Sequence, residues 1–211
     1  MSLLRGTALA QLLEHPAIWR GRSTARTDTL STGFRALDEG LPGGGWPRVG
    51  LTEILAPRHG VGELRLLLPL LARLGATTPP RWTVWIAPPF EPYAPALAAH
   101  GVAVERQLVV RTETPLWAME QALDSGACEL VLAWVRRAQP RSLRRLQLAA
   151  GRGRTPGFLF RALSTARESS PAELRVLCEP GEGGATLRLL KSRGGARAPI
   201  GLRWSELDGE T

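Results

Sequence analysis

At 211 residues, with 44% hydrophobic and 22% charged side chains, the chain has the make-up of a globular protein with enough material for one well-packed domain. It contains no run of 18 or more apolar residues, so no membrane span is expected, and its only two cysteines, Cys128 and Cys178, read as buried free thiols that fit a reducing cytoplasm. The formal net charge is +8, and of the 27 basic residues only Lys191 is a lysine, so contact with an acidic partner would be made by guanidinium groups.

Leu3, Leu4, Ala8, Leu9, Leu12 and Leu13 have the spacing of a short amphipathic helix that ends at His15 and Pro16. No small-residue cleavage site follows, so this start reads as structure and not as a signal. Residues 1–30 are expected to form an N-terminal helix and linker, with Trp19 a docking side chain on the domain surface or on a partner. A folded domain is expected over 31–195. It opens with turns at Gly43, Gly44 and Gly45, then a strand at 51–55. The run ELRLLLPLLARL predicts a buried helix kinked at Pro69, and WTVWIA a buried strand at 82–87. A short helix from about Ala94, a strand at 107–110, a helix capped by Thr114 with Pro115 in its first turn, and a strand at 130–135 continue the alternation. Alternating strands and helices specify an α/β fold, with a mainly parallel sheet and helices on both faces.

RSLRRLQLAA then reads as a helix burying Leu143, Leu146 and Ala150, and GRGRTPG as a flexible basic loop before the strand FLFRA. Segments 173–178 and 186–192 pair across the glycine turn PGEGGA. Because Arg175 alternates with Leu174 and Val176, an edge position is expected for the first of them. The tail, 196–211, is too polar to fold alone and is expected to be disordered or to dock, with Ile200, Leu202, Trp204 and Leu207 as its contacts.

Segment 57–64 stands where a strand, a glycine loop and a helix would hold a nucleotide. Such a loop reads G-x-x-x-x-G-K-[ST]: its N–H groups cradle phosphate, the lysine neutralises it and the hydroxyl holds magnesium. Here Pro57 replaces the first glycine, Arg58, His59 and Gly60 follow, and Gly62 is kept. Glu63 takes the place of the lysine and Leu64 that of the hydroxyl residue. A carboxylate repels phosphate, and leucine cannot hold a metal. The following strands end neutrally at Pro88-Pro89 and Ala133-Trp134, where a nucleotide enzyme carries acids. His15, His59 and His100 lack partners at metal-site spacing. No catalytic residue, no cofactor and no metal is therefore expected. Arg136, Arg137, Arg141, Arg144, Arg145, Arg152, Arg154 and Arg161 fall in one stretch free of acidic residues. They mark a basic surface for DNA or for an acidic partner protein.

HPAIWRG, LPGGGWPRVGLTE with HGVGELR, VWIAPPFEPYAPALAAHGV, LWAMEQALDSGACELVLAW and LRLLKSRGG together resemble the RecA superfamily core. More closely they resemble ImuA, the RecA-like accessory protein of bacterial mutagenesis cassettes, a family grouped with SulA-like cell-division inhibitors. The resemblance implies a RecA-like three-layer core with a mainly parallel central sheet and a C-terminal antiparallel strand pair. Under it RecA's phosphate-loop glycine, lysine and threonine fall on Gly62, Glu63 and Leu64, its catalytic glutamate near Pro89, and its Walker B aspartate near Ala133 or Trp134. The implied function is that of a catalytically inactive adaptor in DNA-damage-induced translesion synthesis. The implied partners are a Y-family polymerase-like protein, the error-prone DNA polymerase of the same cassette, or RecA. Two other readings stay open: a SulA-like inhibitor of cell division acting on a polymerising protein, and a direct single-stranded DNA-binding protein.

Overall fold

Apolar runs too short for helices become the strands of an eight-stranded sheet in the computed structural model, which describes residues 28–194 and 198–208. The expected N-terminal helix and Trp19 lie outside the described residues. Strands β3 (Gly50–Ala56), β4 (Trp82–Ile86), β5 (Gln107–Val110), β6 (Cys128–Trp134), β7 (Pro156–Ala162) and β8 (Leu174–Gly181) run parallel. β9 (Gly184–Lys191) and β10 (Ile200–Arg203) are added antiparallel, giving the order β10-β9-β8-β3-β7-β6-β4-β5. A separate two-stranded ribbon, β1 (Thr29–Leu30) with β2 (Trp46–Pro47), flanks helix α1 (Arg35–Gly40) in sequence. The architecture is an α/β fold with a mixed, largely parallel sheet and a C-terminal antiparallel group.

Period-two alternation explains how single strands serve two cores. Leu130, Leu132 and Trp134 of β6 enter one core, while Val131 and Ala133 enter the other; in β7, Phe158 and Phe160 oppose Leu159 in the same way. Helices α2 (Leu68–Gly75) and α3 (Ala94–Ala99) cover the first face. Helices α4 (Pro115–Asp124) and α5 (Pro140–Gly153) cover the second with Met119, Leu123, Leu143 and Leu146. Every residue of β3 is buried, as a central parallel strand requires.

Four local expectations change. Pro69 does not kink a helix: a 3-10 turn, Arg65–Leu67, precedes α2, and the proline sits in the first helical turn, where no N–H is needed. Only Arg154 and Thr155 of the supposed basic loop lie outside regular elements, because α5 runs to Gly153, ending on Arg154 in the left-handed conformation, φ 48°, and β7 begins at Pro156. β8 is no edge strand but lies between β3 and β9, since its Arg175 is matched by a buried carboxylate described below. In the tail, residues 200–203 pair with β9, and Leu202 is buried.

Cys128 and Cys178 are buried free thiols. Burial raises both above the usual thiol range, and for Cys178 the negative charges of Glu63 and Glu179 add to it, pushing it up to about 12. A neutral thiol is a poor nucleophile. Cys178 is therefore expected to stay unmodified by an aromatic disulfide reagent at pH 8 and to react at once in guanidinium, which absorbance titration will read. Among the described residues no helix is long and apolar enough to cross a membrane.

Candidate functional site

Because β3 is central and buried, its carboxyl end fixes the loop at 57–64. Pro57 and Arg58 are exposed and His59 is half-buried. Gly60 and Gly62 have φ of 78° and 98°, a region that favours glycine. Glu63 turns back into this bend and is only 5% exposed. The N–H of Gly60 donates to its Oε1 and the N–H of Val61 to its Oε2, each at 2.9 Å. Successive loop N–H groups make an anion-binding concavity, and here the anion is the chain's own carboxylate. Leu64 packs on the first core. Glu63→Ala leaves two N–H donors without this acceptor and is expected to lower stability by about 1–3 kcal/mol in urea unfolding. Glu63→Gln, which keeps one acceptor oxygen, is expected to lose less.

The other wall of the loop comes from the end of the chain. A Cβ on Gly62 would lie 2.8 Å from Cζ2 of Trp204, so only glycine lets that indole close over the bend. Phe34 meets the same indole edge-on at 6.1 Å, and the Arg65 guanidinium lies over it at 5.7 Å. Trp204, expected as a docking side chain, is thus packed inside its own domain.

A cleft of about 330 Å³ opens beside the loop, at the carboxyl ends of β3, β4 and β6. Trp85 and Trp134 form part of its lining, stacked at 5.8 Å, and Trp134 stacks in turn on Phe160 at 4.5 Å. Nε1 of Trp85 donates to Gln107 at 2.8 Å, satisfying a buried indole. Pro88, Pro89 and Pro92 build one wall, and Phe90 and Tyr93 belong to the same lining while each is 70% exposed. Sequence reasoning named Pro89 and Ala133 only as missing acids. It overlooked Phe90 and Tyr93, whose signal was two aromatic residues in a proline-stiffened turn with no periodicity to bury them.

Charge is also buried where no surface reading could place it. Glu53 of β3, fully buried, accepts from Arg175 Nε at 2.9 Å and lies 3.4 Å from Arg161 Nη1, with the Ser170 hydroxyl also donating to it. Arg175 in turn donates to the carbonyls of Thr165, Ala166 and Glu168, tying down the crossover from β7 to β8, whose one helical piece is a 3-10 turn at Leu163–Thr165. Arg161 therefore leaves the expected basic surface. The signal was a lone glutamate in the run LTEILA and a lone arginine in each of FLFRA and LRVLC.

The remaining arginines are exposed but do not form one uniform patch. Arg145 pairs with Glu120 of α4 at 2.7 Å and Arg152 with Asp124 at 2.7 Å. The hydrogen bond from Arg152 holds the Asp124 carboxyl below its usual range. Arg141 and Arg144 lie on the same helix, Arg154 caps it, and Arg136 and Arg137 sit in the turn just after β6. Among the described residues no group of three or more His, Cys, Asp or Glu could hold a metal.

Fold and loop together define an α/β protein in which the glycine bend after the central strand is filled by its own glutamate. The family model described as cell division inhibitor SulA matches residues 52–157, from β3 to the start of β7, and the chain belongs to this family. Cell division inhibitor SulA of Photorhabdus laumondii subsp. laumondii is 33% identical over 114 residues, covering 53% of this chain and 63% of that protein. The protein of the same name from Yersinia enterocolitica is 31% identical over 117 residues, covering 54% and 68% respectively. The crystal structure of SulA from Pseudomonas aeruginosa aligns with a TM-score of 0.45 at 26% identity, over 53% of this chain and 97% of that one. Family membership corrects the expected assignment to ImuA. With it go the translesion-synthesis and DNA-repair role and the expected partners, namely the Y-family polymerase-like protein, the error-prone polymerase, RecA and DNA.

Proposed function

We propose that this chain inhibits cell division by binding a polymerising division protein, without turning over a nucleotide. The family match across 52–157 carries this reading, because that segment holds the loop, the cleft and the basic helix α5. Its non-catalytic part is supported by Glu63, which fills the anion cradle and would repel a phosphate brought to it. A finer description of the fold, a RecA-like three-layer core with a degenerate phosphate loop, is supported by the loop's place after the central strand and by helices on both faces. The domain then comprises 31–195 together with the strand and short helix of the tail. Pro57, Arg58, His59, Gly60, Gly62, Glu63 and Leu64 act in it as a shaped wall and not as a nucleotide site.

Overproduction in a rod-shaped bacterium is expected to give long, undivided cells without DNA damage. Normal division at the same protein level would overturn the reading. Nucleotide turnover by the purified protein that disappears on changing Arg58 or Glu63 would overturn its non-catalytic half.

A further inference from the structure

The cleft and the arginines nearest to it combine into one surface. Strands β3, β4, β5, β6 and β7 are parallel, so the turns that follow them gather at one end of the sheet. That end carries the apolar cleft, its exposed Phe90 and Tyr93, and Arg65 in the lining. Arg136 and Arg137 follow Trp134 of that lining by two and three residues and are exposed. Acidic side chains beside the cleft are largely spent: Glu63 is buried on loop N–H groups, Glu91 is paired with Arg111, and Glu168 with Arg161, leaving Glu113, with Glu182 and Glu206 exposed on the β8 and β10 side of the same end. Among the described residues no carboxylate pairs with Arg65, Arg136 or Arg137.

Three prolines stiffen the 88–93 turn, so holding two aromatic rings in water-facing positions loses little further conformational freedom on binding. Rigid exposed aromatics beside a preformed apolar cleft are the usual anchors of a protein interface, and arginines around them select charge. Resting on the division-inhibitor reading, we infer that this end of the sheet grips an acidic segment of the division protein. One apolar side chain of that segment enters the cleft against Trp134, and carboxylates flanking it meet Arg65, Arg136 and Arg137. Nucleic acid fits the arginines but not the cleft, whose wall is proline and whose anion cradle is already filled.

The test uses the full chain, overproduced at equal soluble level as wild type, Phe90→Ala/Tyr93→Ala, Arg136→Glu/Arg137→Glu, and Arg188→Glu on β9, four strands across the sheet from β6, as a control. Thermal melting confirms that each variant folds; if either double variant melts early, Phe90→Ser or Arg136→Gln/Arg137→Gln replaces it. Wild type and Arg188→Glu are expected to produce filaments, and both double variants to restore division. Association of the double variants with purified division protein is expected to fall at least about thirtyfold, the size of a hot-spot loss. Salt is expected to weaken wild-type association and to matter less for Arg136→Glu/Arg137→Glu.

Filaments from all four proteins would overturn the docking surface and leave the family reading intact. Absence of filaments from wild type would remove both. If Arg136→Glu/Arg137→Glu loses binding to a labelled oligothymidine while filaments persist, those arginines serve nucleic acid and the proposal fails.

Discussion

Glu53→Gln is expected to lower the unfolding free energy by about 3–5 kcal/mol, read as a fall in the urea midpoint at unchanged slope. The substitution keeps shape and removes charge. Two guanidinium groups are then left in the interior: Arg175 loses its 2.9 Å partner, and Arg161 keeps only Glu168, which is half exposed. Nε of Arg161 already has no partner, so the cluster has no spare acceptor with which to compensate. Replacing a whole buried ion pair with apolar residues is often harmless, but that escape is closed here. Arg175 also satisfies the carbonyls of Thr165, Ala166 and Glu168, and a leucine in its place would leave them without those donors. Hydrogen exchange is therefore expected to rise first in 163–173 when either partner is changed. Exchange rising no faster there than in β6 would show that the crossover is held by something else.

Two glycines on α5 are expected to respond to the same substitution with opposite signs. A Cβ on Gly153 would lie 1.9 Å from the carbonyl oxygen of Leu123 and 3.1 Å from the amide nitrogen of Gly126, backbone atoms that cannot rotate aside. Alanine gains up to about 1 kcal/mol of helix propensity over glycine. Forcing α5 away from the end of α4 costs more, so Gly153→Ala is expected to lose about 1–3 kcal/mol net. Gly151, two residues earlier, has nothing within 4 Å of the same added atom. Gly151→Ala is expected to gain about 0.5–1 kcal/mol. Thermal midpoints of the two variants, moving in opposite directions from wild type, are the measurement.

The strands were legible because burial on both faces writes itself as short continuous apolar runs, and LTEILA, ELVLAW and FLFRA all became central strands. At Glu63 and Leu64 residue identity alone carried the expectation, since it decides whether a side chain can neutralise phosphate or hold magnesium. Where the Glu63 carboxylate goes was not legible, since its partners are backbone N–H groups that every residue carries. Arg175 misled for a related reason. A charge in an apolar strand looks like an edge until its partner is known, and Glu53 lies more than a hundred residues away in sequence. The spacing of Leu202 and Trp204 suggested docking as one of two readings, but the strand itself was not legible because the tail forms β10 only by borrowing the open edge of β9. The resemblance to a mutagenesis accessory protein rested on segments that belong largely to the loop and the strands. Those report the scaffold and not the surface that meets a partner.

The bend at Gly60–Glu63 holds a ligand that is part of the same molecule. A tethered ligand is not diluted and is hard for free solutes to compete away, since its local concentration is set by the chain and not by the cell. A phosphate brought to this bend would first have to displace the Glu63 carboxylate, so the shape of the loop beside the cleft is set by the chain's own side chain.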